Sequence, residues 1–422
     1  MCQHKPKNRF NFYLIGGLLL GVVTAYFQVP IINKVAEGVA DVVICLLKLL
    51  SLPMIFLSIT GTIASMDNFA AFRSLGKRVL WYATLTTLVA GLLGLALYKL
   101  INPSQYRPPI IAEGAAVATD GQSYLGFIST IVPSSFLDAF TGNHVIYVLL
   151  LAIVVGLAIL FTPTRENRPV ASLFSSLFSK VLKATMILVY LMPIGVWAFV
   201  TLFGRDLSEA MASGNTMHLK SLFLYVTCVV LSNLIQGLVV LPALVKVRGL
   251  SPIRLFRAVF TALTTAFFTR SSNAALPLTL KTIEENAGVS KRTANFSIPL
   301  CATINMNACA AFMVITVLYI GTVNGVHFSL LDSFMWVGIA TLAAMGNAGV
   351  PMGCYFLSGA LLSSINVPLT LLAMILPIYA IIDMLETALN VWSDICVTAV
   401  IDHDIQKAAE AKRLPAGGVL ES

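Results

Sequence analysis

Charged residues are scarce in this sequence. Asp, Glu, Lys and Arg together make up 11% of the 422 residues, whereas 58% are hydrophobic. Soluble globular domains carry about 25% charged residues, so this composition excludes an ordinary soluble domain and predicts a polytopic membrane protein. Long polar stretches are also missing, which leaves no room for a separate soluble domain.

Several motifs of catalytic and metal-binding proteins are absent. The five histidines form no HExxH pattern, no GxxxxGK[ST] loop occurs, and the seven cysteines form no CxxC pair. Zinc hydrolysis and ATP-driven pumping are therefore not indicated. Because most cysteines lie in apolar segments, we expect buried apolar side chains rather than disulfides or metal ligands. The net charge of +8 comes from basic residues scattered over short loops, which indicates membrane topology rather than nucleic-acid binding.

Apolar runs long enough to cross the bilayer occur along the whole chain. Residues 79–98 hold twenty positions without a charge, enough for roughly 30 Å of hydrocarbon. Lys5, Lys7 and Arg9 precede the first run, and no A-x-A cleavage site follows it, so we expect an uncleaved span and a cytoplasmic N-terminus. We predict spans at about 12–29, 38–64, 79–101, 145–161, 180–203, 219–246, 294–322 and 373–402.

Two further apolar runs, at about 258–280 and 332–372, are interrupted. The first contains TRSSNAALP at 269–277, and the second contains GNAGVP at 346–351. Irregular backbone inside hydrocarbon is tolerated only where protein buries it or where it lines a cavity. A pair of interrupted segments in two repeats is typical of a transporter's substrate site. We therefore predict two re-entrant hairpins that meet at a binding site, the second acting as a hinged lid through Gly346, Gly349 and Gly353.

With both segments re-entrant, most loop Lys and Arg residues fall on the cytoplasmic side, as the positive-inside rule requires. We expect the segment 102–143 to be an outer loop that leads into a partial helix. The polar tail 403–422 is expected to be a fraying cytoplasmic end. A short chain with few loops suits a prokaryotic inner membrane.

The last predicted span carries an acidic stripe, formed by Asp383, Glu386, Thr387, Asn390 and Asp394. Offsets of 0, 3, 4, 7 and 11 place these residues on one face of a helix. Each intramembrane acid costs roughly 2.5–3.5 kcal/mol on insertion scales. Three such residues on one span therefore indicate a structural or functional role that offsets this cost. A structural ion network is one reading; the polar neighbours and the two broken segments favour a binding site.

The residue types fit a zwitterion and a cation. Helix N-termini at Ser271–Asn273 and near Val350–Met352 suit an α-carboxylate, and Asp383 suits an α-ammonium group. Asn305, Asn390 and Asp394, with nearby carbonyl groups, offer the hard oxygen ligands that a dehydrated sodium ion needs.

These motifs resemble the dicarboxylate/amino acid:cation symporter family over nearly the whole chain. The resemblance also includes LKLLSLPM at 47–54 and MPIGV at 192–196. It implies an all-α homotrimer with eight spans, two re-entrant hairpins and inverted repeats. It further implies a scaffold (roughly 10–64 and 120–215), a transport unit (roughly 70–102 and 216–402) and elevator-type alternating access with the second hairpin as gate.

The resemblance assigns Ser272 and Asn390 to the substrate carboxylate, and Asp383 to its amino group. Sodium would lie at Asp394 with carbonyls of Asn305 and Asn390, and at Thr303, Met306 and the second hairpin. Thr86 and Thr87 match a third cation site loosely. The predicted substrate-binding residues are Arg270, Ser271, Ser272, Asn273, Cys309, Val350, Gly353, Asp383, Glu386, Thr387 and Asn390. The predicted cation ligands are Thr86, Thr87, Thr303, Asn305, Met306, Asn307, Asn347, Asn390 and Asp394.

Three departures from the family pattern bear on the substrate. The family's NMDGT motif reads NMNAC at 305–309, so Asn307 replaces an aspartate of the third sodium site and Cys309 replaces a threonine. Glu386 stands where members that take acidic substrates have an arginine, and it would repel a side-chain carboxylate. The last span looks more like the serine/threonine:sodium symporter branch. We therefore favour a small neutral amino acid, such as serine or threonine, over glutamate, aspartate or a C4-dicarboxylate.

Other readings stay open at this point. Arg270 could hold an acidic substrate, or it could pair with Asp383 or Glu386, and protons could replace sodium. A cationic amino acid beside Glu386, an anion channel and a sensor that binds without transporting are further alternatives. An aspartyl protease is excluded, because eleven residues separate Asp383 and Asp394 by about 16 Å along a helix, too far to share a proton.

Overall fold

A computed structural model describes residues 7–64, 75–106, 145–162, 164–212, 217–347 and 352–413. These residues are almost entirely helical, and they contain no β-strand. The helices are α1 (Lys7–Phe27), α2 (Pro30–Ala64), α3 (Lys77–Ile101), α4 (Val145–Phe161), α5 (Thr164–Ala212), α6 (Met217–Ile235), α7 (Leu241–Val247), α8 (Pro252–Thr269), α9 (Ser272–Glu285), α10 (Lys291–Ile304), α11 (Asn307–Val323), α12 (Leu330–Ala344), α13 (Gly353–Ser364) and α14 (Thr370–Arg413).

Four segments of the described chain are long and apolar enough to cross a membrane: Lys77–Gln105, Lys220–Val247, Lys291–Val323 and Ile378–Ala408. Shorter apolar helices lie at Gly16–Phe27, Leu150–Phe161, Pro193–Leu202 and Leu330–Met345. The described residues thus agree with the predicted all-α membrane protein. The predicted outer segment lies mostly in 107–144, outside the described residues.

Two groups of helices pack among themselves. In one group, α5 contacts α1 and α2, and α2 also contacts α4. In the other, α11 contacts α3, α12, α13 and α14, while α8 packs on α9 and α14. The helix α11 is apolar on all sides and almost wholly buried, as expected for a helix at the centre of its group.

The first predicted break lies at Arg270 and Ser271, between α8 and α9. Arg270 ends α8 in the left-handed region, with φ of 52°, which is uncommon for a residue other than glycine. Ser271 then caps α9, and its Oγ accepts a hydrogen bond from the Ala274 N–H. Because α8 and α9 pack against each other, the two helices form a hairpin whose tip is the polar stretch.

The second predicted break and a third interruption are also present. The helix α12 ends at Ala344 and α13 begins at Gly353, although 348–351, which include Val350, lie outside the described residues. The span predicted at 294–322 is divided, because Asn305 and Met306 leave the helical region with ψ of 66° each. Non-helical backbone inside apolar runs needs protein around it, and here it meets α14.

The C-terminal boundary differs from the prediction. We expected the chain to fray from residue 403, but α14 continues to Arg413. Polar contacts hold this extension: the Tyr82 hydroxyl donates to Asp404 at 2.9 Å, and Arg248 forms an ion pair with the same carboxylate at 3.3 Å. Asp402 in addition accepts a hydrogen bond from the Ser290 N–H at 3.1 Å. The extension is thus anchored to the helix bundle.

Candidate functional site

The five residues of the acidic stripe are all buried. Asp383, Glu386, Thr387, Asn390 and Asp394 have at most 7% of their surface exposed. The stripe faces the hairpin tip between α8 and α9, the start of α13 and the break between α10 and α11. Buried charges need partners, so the contacts of each carboxylate show what the site can bind.

Asp383 lies between the two interrupted segments. Its Oδ2 accepts a hydrogen bond from the Met352 N–H at 3.2 Å, and the Arg270 guanidinium interacts with it electrostatically. Met352 presents this N–H because it adopts the left-handed region, with φ of 61°, just before α13. The carboxylate therefore links the residues at both breaks. Thr387, one turn further on, donates to the Asp383 carbonyl oxygen at 2.8 Å and stays within its own helix.

Glu386 carries one satisfied and one open oxygen. The Tyr379 hydroxyl donates to its Oε2 at 3.1 Å, and Tyr379 packs against the rings of Phe312 and Tyr355. Its Oε1 is buried and has no hydrogen-bond partner among the described residues. A buried carboxylate oxygen without a donor is costly, so this atom is ready to accept a hydrogen bond or to bind a cation.

Asn390 connects α14 to the first turn of α11. Its Oδ1 accepts from the Ala308 N–H at 3.0 Å, and its Nδ2 donates to Cys309 Sγ at 3.3 Å. Both ends of the amide are therefore used by protein groups. A substrate carboxylate at Asn390 would have to displace or share one of these bonds.

A polar network surrounds the break in α10–α11. The Thr86 hydroxyl donates to Asn305 Oδ1 at 3.0 Å, and the Thr87 hydroxyl donates to Asn307 Oδ1 at 2.8 Å. Both asparagine Nδ2 atoms donate to Ser393 Oγ, at 2.9 and 2.7 Å, and that of Asn305 also donates to Asp394 at 3.0 Å. The helix α3 reaches this network because Gly94 packs on α11, where a Cβ atom would meet Ala311 O at 3.1 Å.

One cysteine prediction is wrong. Cys309 and Cys354 form a disulfide between the first turns of α11 and α13. The Asn347 Nδ2 donates to both sulfur atoms, at 3.2 and 3.3 Å. The two cysteines are 45 residues apart in the chain, so only the packing of α13 on α11 brings them together. Cys228, Cys301 and Cys396 are buried and form no disulfide, as predicted, whereas Cys45 is exposed.

The remaining predicted residues differ in burial. Ser272 and Met306 are buried, whereas Thr303 is half-buried and donates to the Leu300 carbonyl oxygen at 2.7 Å. Asn273 is exposed. The structure thus gathers most of the predicted residues around one buried centre, with Asn273 at its edge.

The amino-acid sequence matches a known family. A model of the sodium:dicarboxylate symporter family matches residues 10–404. This chain belongs to that family. It is 29% identical to a Caenorhabditis elegans protein assigned as a sodium-dependent excitatory amino acid transporter, over 86% of this chain and 81% of the relative. It is 26% identical to human neutral amino acid transporter B(0), over 89% and 74%. It is also 26% identical to a Rhizobium johnstonii C4-dicarboxylate transport protein, over 99% and 97%.

Membership in the sodium:dicarboxylate symporter family settles the class of protein. The family consists of membrane transporters, which agrees with the prediction that the chain is not an enzyme. Its members are sodium-dependent carriers of amino acids or dicarboxylates. The three relatives bear names that point to different substrates, so the residues of this site decide the more specific assignment.

Two residues of the candidate site were missed by sequence reasoning. Tyr379 precedes Glu386 by seven positions, two helical turns, so the period of the stripe could have found it. Ser393 follows Glu386 by seven positions and Asn390 by three, so the same helical period could have marked it. Only the packing of α10 and α11 on α14 shows that it joins two asparagines.

Gly353 offers a test of the packing behind the second break. A Cβ atom at this position would collide with Asn347 Oδ1, and Asn347 is held by its bonds to both sulfurs. We expect Gly353→Ala to lower the free energy of unfolding by about 1–3 kcal/mol, as overpacking does. Thermal unfolding of the purified protein in detergent measures this.

Gly338→Ala is the matched control for that substitution. Gly338 lies in α12, where an added Cβ meets open space, and alanine favours helix over glycine by about 1 kcal/mol. We expect this variant to unfold at or above the wild-type temperature. Equal unfolding temperatures for the two variants would contradict the packing described here.

Proposed function

We propose that this chain is a sodium-coupled symporter of small neutral amino acids such as serine or threonine. Asp383 offers a carboxylate to the α-ammonium group, and the N-terminus of α9 at Ser272 offers backbone N–H groups to the α-carboxylate. Glu386 then lies beside the substrate side chain. Ser271, Cys309, Gly353, Thr387 and Asn390 complete the proposed pocket.

One observation carries the choice of a neutral substrate: the open Oε1 of Glu386. A hydroxyl group on the substrate side chain would donate to this buried oxygen, which has no partner among the described residues. A side-chain carboxylate would instead face a like charge in a poorly solvated place. A site that hydrogen-bonds a substrate group discriminates strongly against analogues without it.

An acidic amino acid or a C4-dicarboxylate, coupled to sodium or to protons, is the second candidate. It is favoured by Arg270, which is 9% exposed and interacts with Asp383. An acidic substrate would compete with Asp383 for this guanidinium, which can bind a carboxylate through two hydrogen bonds. The name of the Rhizobium relative agrees with this candidate.

We assign sodium to the oxygen-rich groups around Asp394. Asn305, Asn390 and the backbone between α10 and α11 would supply amide and carbonyl oxygens, the ligands that hard cations prefer. A second sodium would lie at Thr303, Met306 and Asn347. At the third position, Thr87 already donates to Asn307 and Thr86 already donates to Asn305, which supports the loss of a third cation.

The proposed transport is an elevator motion within a homotrimer. The mutual packing of α1, α2, α4 and α5 supports a scaffold at roughly 10–64 and 120–215, and the second group of helices supports a transport unit at 70–102 and 216–402. The hairpin of α8 and α9 supports the first of two re-entrant hairpins among eight spans with inverted repeats. We place the protein in a prokaryotic inner membrane with both termini in the cytoplasm.

Uptake into proteoliposomes tests the proposal. Radiolabelled serine, aspartate and succinate are compared under an inward sodium gradient, with sodium-free vesicles as control. Sodium-dependent uptake of serine supports the proposal, whereas uptake of aspartate or succinate alone establishes the second candidate. Binding of serine without uptake would indicate a sensor, and substrate-independent current would indicate an anion channel.

Glu386→Gln tests the role of the open oxygen. Removing the charge while keeping the shape should raise aspartate uptake relative to serine uptake about tenfold, which corresponds to ~1.4 kcal/mol of relieved repulsion. Glu285→Gln is the matched control, because Glu285 is exposed at the end of α9. An unchanged ratio in Glu386→Gln would remove this residue from substrate selection.

A further inference from the structure

Three potential metal ligands from three helices converge beside the proposed pocket. The Sγ atoms of Cys309 and Cys354 and a carboxylate oxygen of Glu386 lie within 4.8 Å of one another, and all three residues are buried. Cys309 is in the first turn of α11, Cys354 in the first turn of α13 and Glu386 in α14. We propose that these residues, with both cysteines reduced, bind a soft divalent cation of the zinc class.

The donor set fits such a cation. Zinc binds thiolates at about 2.3 Å and carboxylates at about 2.0–2.2 Å in a tetrahedron, so neighbouring donor atoms lie about 3.3–3.8 Å apart. Donors already within 4.8 Å need only small side-chain rotations to reach that geometry. Two sulfurs select against Na⁺, Mg²⁺ and Ca²⁺, which prefer oxygen, so this site is distinct from the sodium sites proposed above.

Independent support comes from polar groups around the three ligands. Glu386 Oε1 is buried without a hydrogen-bond partner among the described residues, and a cation would satisfy it. The Tyr379 hydroxyl bonded to Oε2 and the Asn347 Nδ2 bonded to both sulfurs would orient the ligands. Outer partners of this kind are typical of metal sites in proteins.

The disulfide and the cation exclude each other, because both use the same two sulfurs. A phosphine reductant opens the disulfide: its phosphorus donates two electrons to the S–S bond and takes the oxygen of one water molecule. The two protons of that water end on the sulfurs, which gives two thiols and a phosphine oxide. When the cation binds, both thiols release their protons to the buffer. The oxidised chain should therefore bind no zinc.

Cobalt titration of the full chain in detergent tests the proposal. The protein is reduced with a phosphine, desalted without oxygen and titrated with Co²⁺, whose thiolate complexes absorb through sulfur-to-metal charge transfer. We expect one cobalt per chain, a charge-transfer band and loss of the band when Zn²⁺ is added. The oxidised wild-type chain is the control without mutation, and it should show no band.

Variants assign the ligands. Cys309→Ser and Cys354→Ser should each weaken cobalt binding at least tenfold, and Glu386→Gln should weaken it while keeping the band. Cys228→Ser is the matched control, because Cys228 is buried on α6 and does not belong to the three-ligand cluster, and it should bind like wild type. A reduced, folded wild-type chain without the band would overturn the proposal, as would a full band in Cys354→Ser.

The effect of Zn²⁺ on serine uptake shows the consequence of metal binding for transport. This test rests on the proposed function as a serine symporter. A cation at Cys309 and Glu386 would occupy groups of the proposed substrate pocket, so Zn²⁺ should lower serine uptake by reduced wild type at least tenfold. The ratio of uptake with and without Zn²⁺ should approach one in Cys354→Ser. If no variant takes up serine, the proposed function fails, and the cobalt titration still decides whether the metal site exists.

Discussion

Replacing Asp383 by asparagine is expected to lower sodium-dependent serine uptake about 100-fold or more. An asparagine Oδ1 can still accept the hydrogen bond that the Met352 N–H gives to Asp383 at 3.2 Å. The start of α13 should therefore keep its place. The α-ammonium group of the substrate, in contrast, loses the charge that pairs with it. Truncating one partner of a buried charge pair costs about 2–5 kcal/mol, and each 1.4 kcal/mol is a factor of ten.

Initial uptake rates at saturating sodium measure this effect, together with the serine-induced shift in unfolding temperature. Asp332→Asn is the matched control, because Asp332 is only half-buried and belongs to the capping box of α12, outside the proposed pocket, so this variant should affect uptake less than twofold. If Asp383→Asn transports serine within threefold of wild type, the ammonium group lies elsewhere.

Two explanations of lost serine uptake in Asp383→Asn can be separated with a substitution at Arg270. If Asp383 serves mainly to neutralise Arg270, then Asp383→Asn leaves a buried guanidinium without its counter-ion, and the unfolding temperature should fall. Arg270→Gln combined with Asp383→Asn should then restore stability. If Asp383 binds the substrate ammonium, the double variant stays inactive whatever its stability.

The sequence was sufficient for the features that depend on local polarity. Arg270–Ser271 and the stretch after Ala344 had to leave the helix, because charged, glycine-rich or proline-containing runs cannot continue a lipid-facing helix. The stripe from Asp383 to Asp394 follows from helical periodicity alone. The structure has the breaks and the buried face at those positions.

Features that depend on which helices meet could not be predicted. The pairing of Cys309 with Cys354 needs α13 to pack on α11, and the bonds from two asparagines to Ser393 need α10 and α11 to pack on α14. Neither contact can be predicted from the spacing of residues within a single helix, because each depends on which helices pack together. The extension of α14 to Arg413 was missed for the same reason, since its anchors lie elsewhere in the chain, Tyr82 in α3 and Arg248 directly after α7.

The hydrogen bonds of Asn307 lead to a prediction about the number of sodium ions that are coupled to transport. Asn307 stands in NMNAC, where the family's NMDGT has an aspartate. Its Oδ1 accepts from the Thr87 hydroxyl and its Nδ2 donates to Ser393 Oγ, at 2.8 and 2.7 Å. Asn307, Thr87 and Ser393 are each completely buried. A neutral, hydrogen-bonded group of this kind needs no cation, so we infer that the wild-type chain couples one sodium fewer than the family pattern provides.

Asn307→Asp should therefore add a coupled cation. A buried carboxylate in place of this amide cannot donate to Ser393, and an isolated buried charge is strongly disfavoured. Sodium, with oxygens of Thr86, Thr87 and Asn305 close by, would supply the missing charge. With a tenfold sodium gradient and about −60 mV across the membrane, each coupled sodium ion changes the limiting substrate ratio about 100-fold, tenfold from each source.

The serine concentration ratio at which net flux is zero, under a fixed sodium gradient and membrane potential, measures the number of coupled ions directly. It should rise about 100-fold in Asn307→Asp and stay unchanged in Asn324→Asp, a control at the far end of α11 where the asparagine is only half-buried. Repeating the measurement at fixed sodium and varied pH separates the two ways to neutralise the new carboxylate. A balance point that follows pH means that a proton has taken the place of the added sodium. A balance point identical to wild type under both gradients would show that Asn307 lies outside the coupling site, because a buried carboxylate there could not cross the membrane uncompensated.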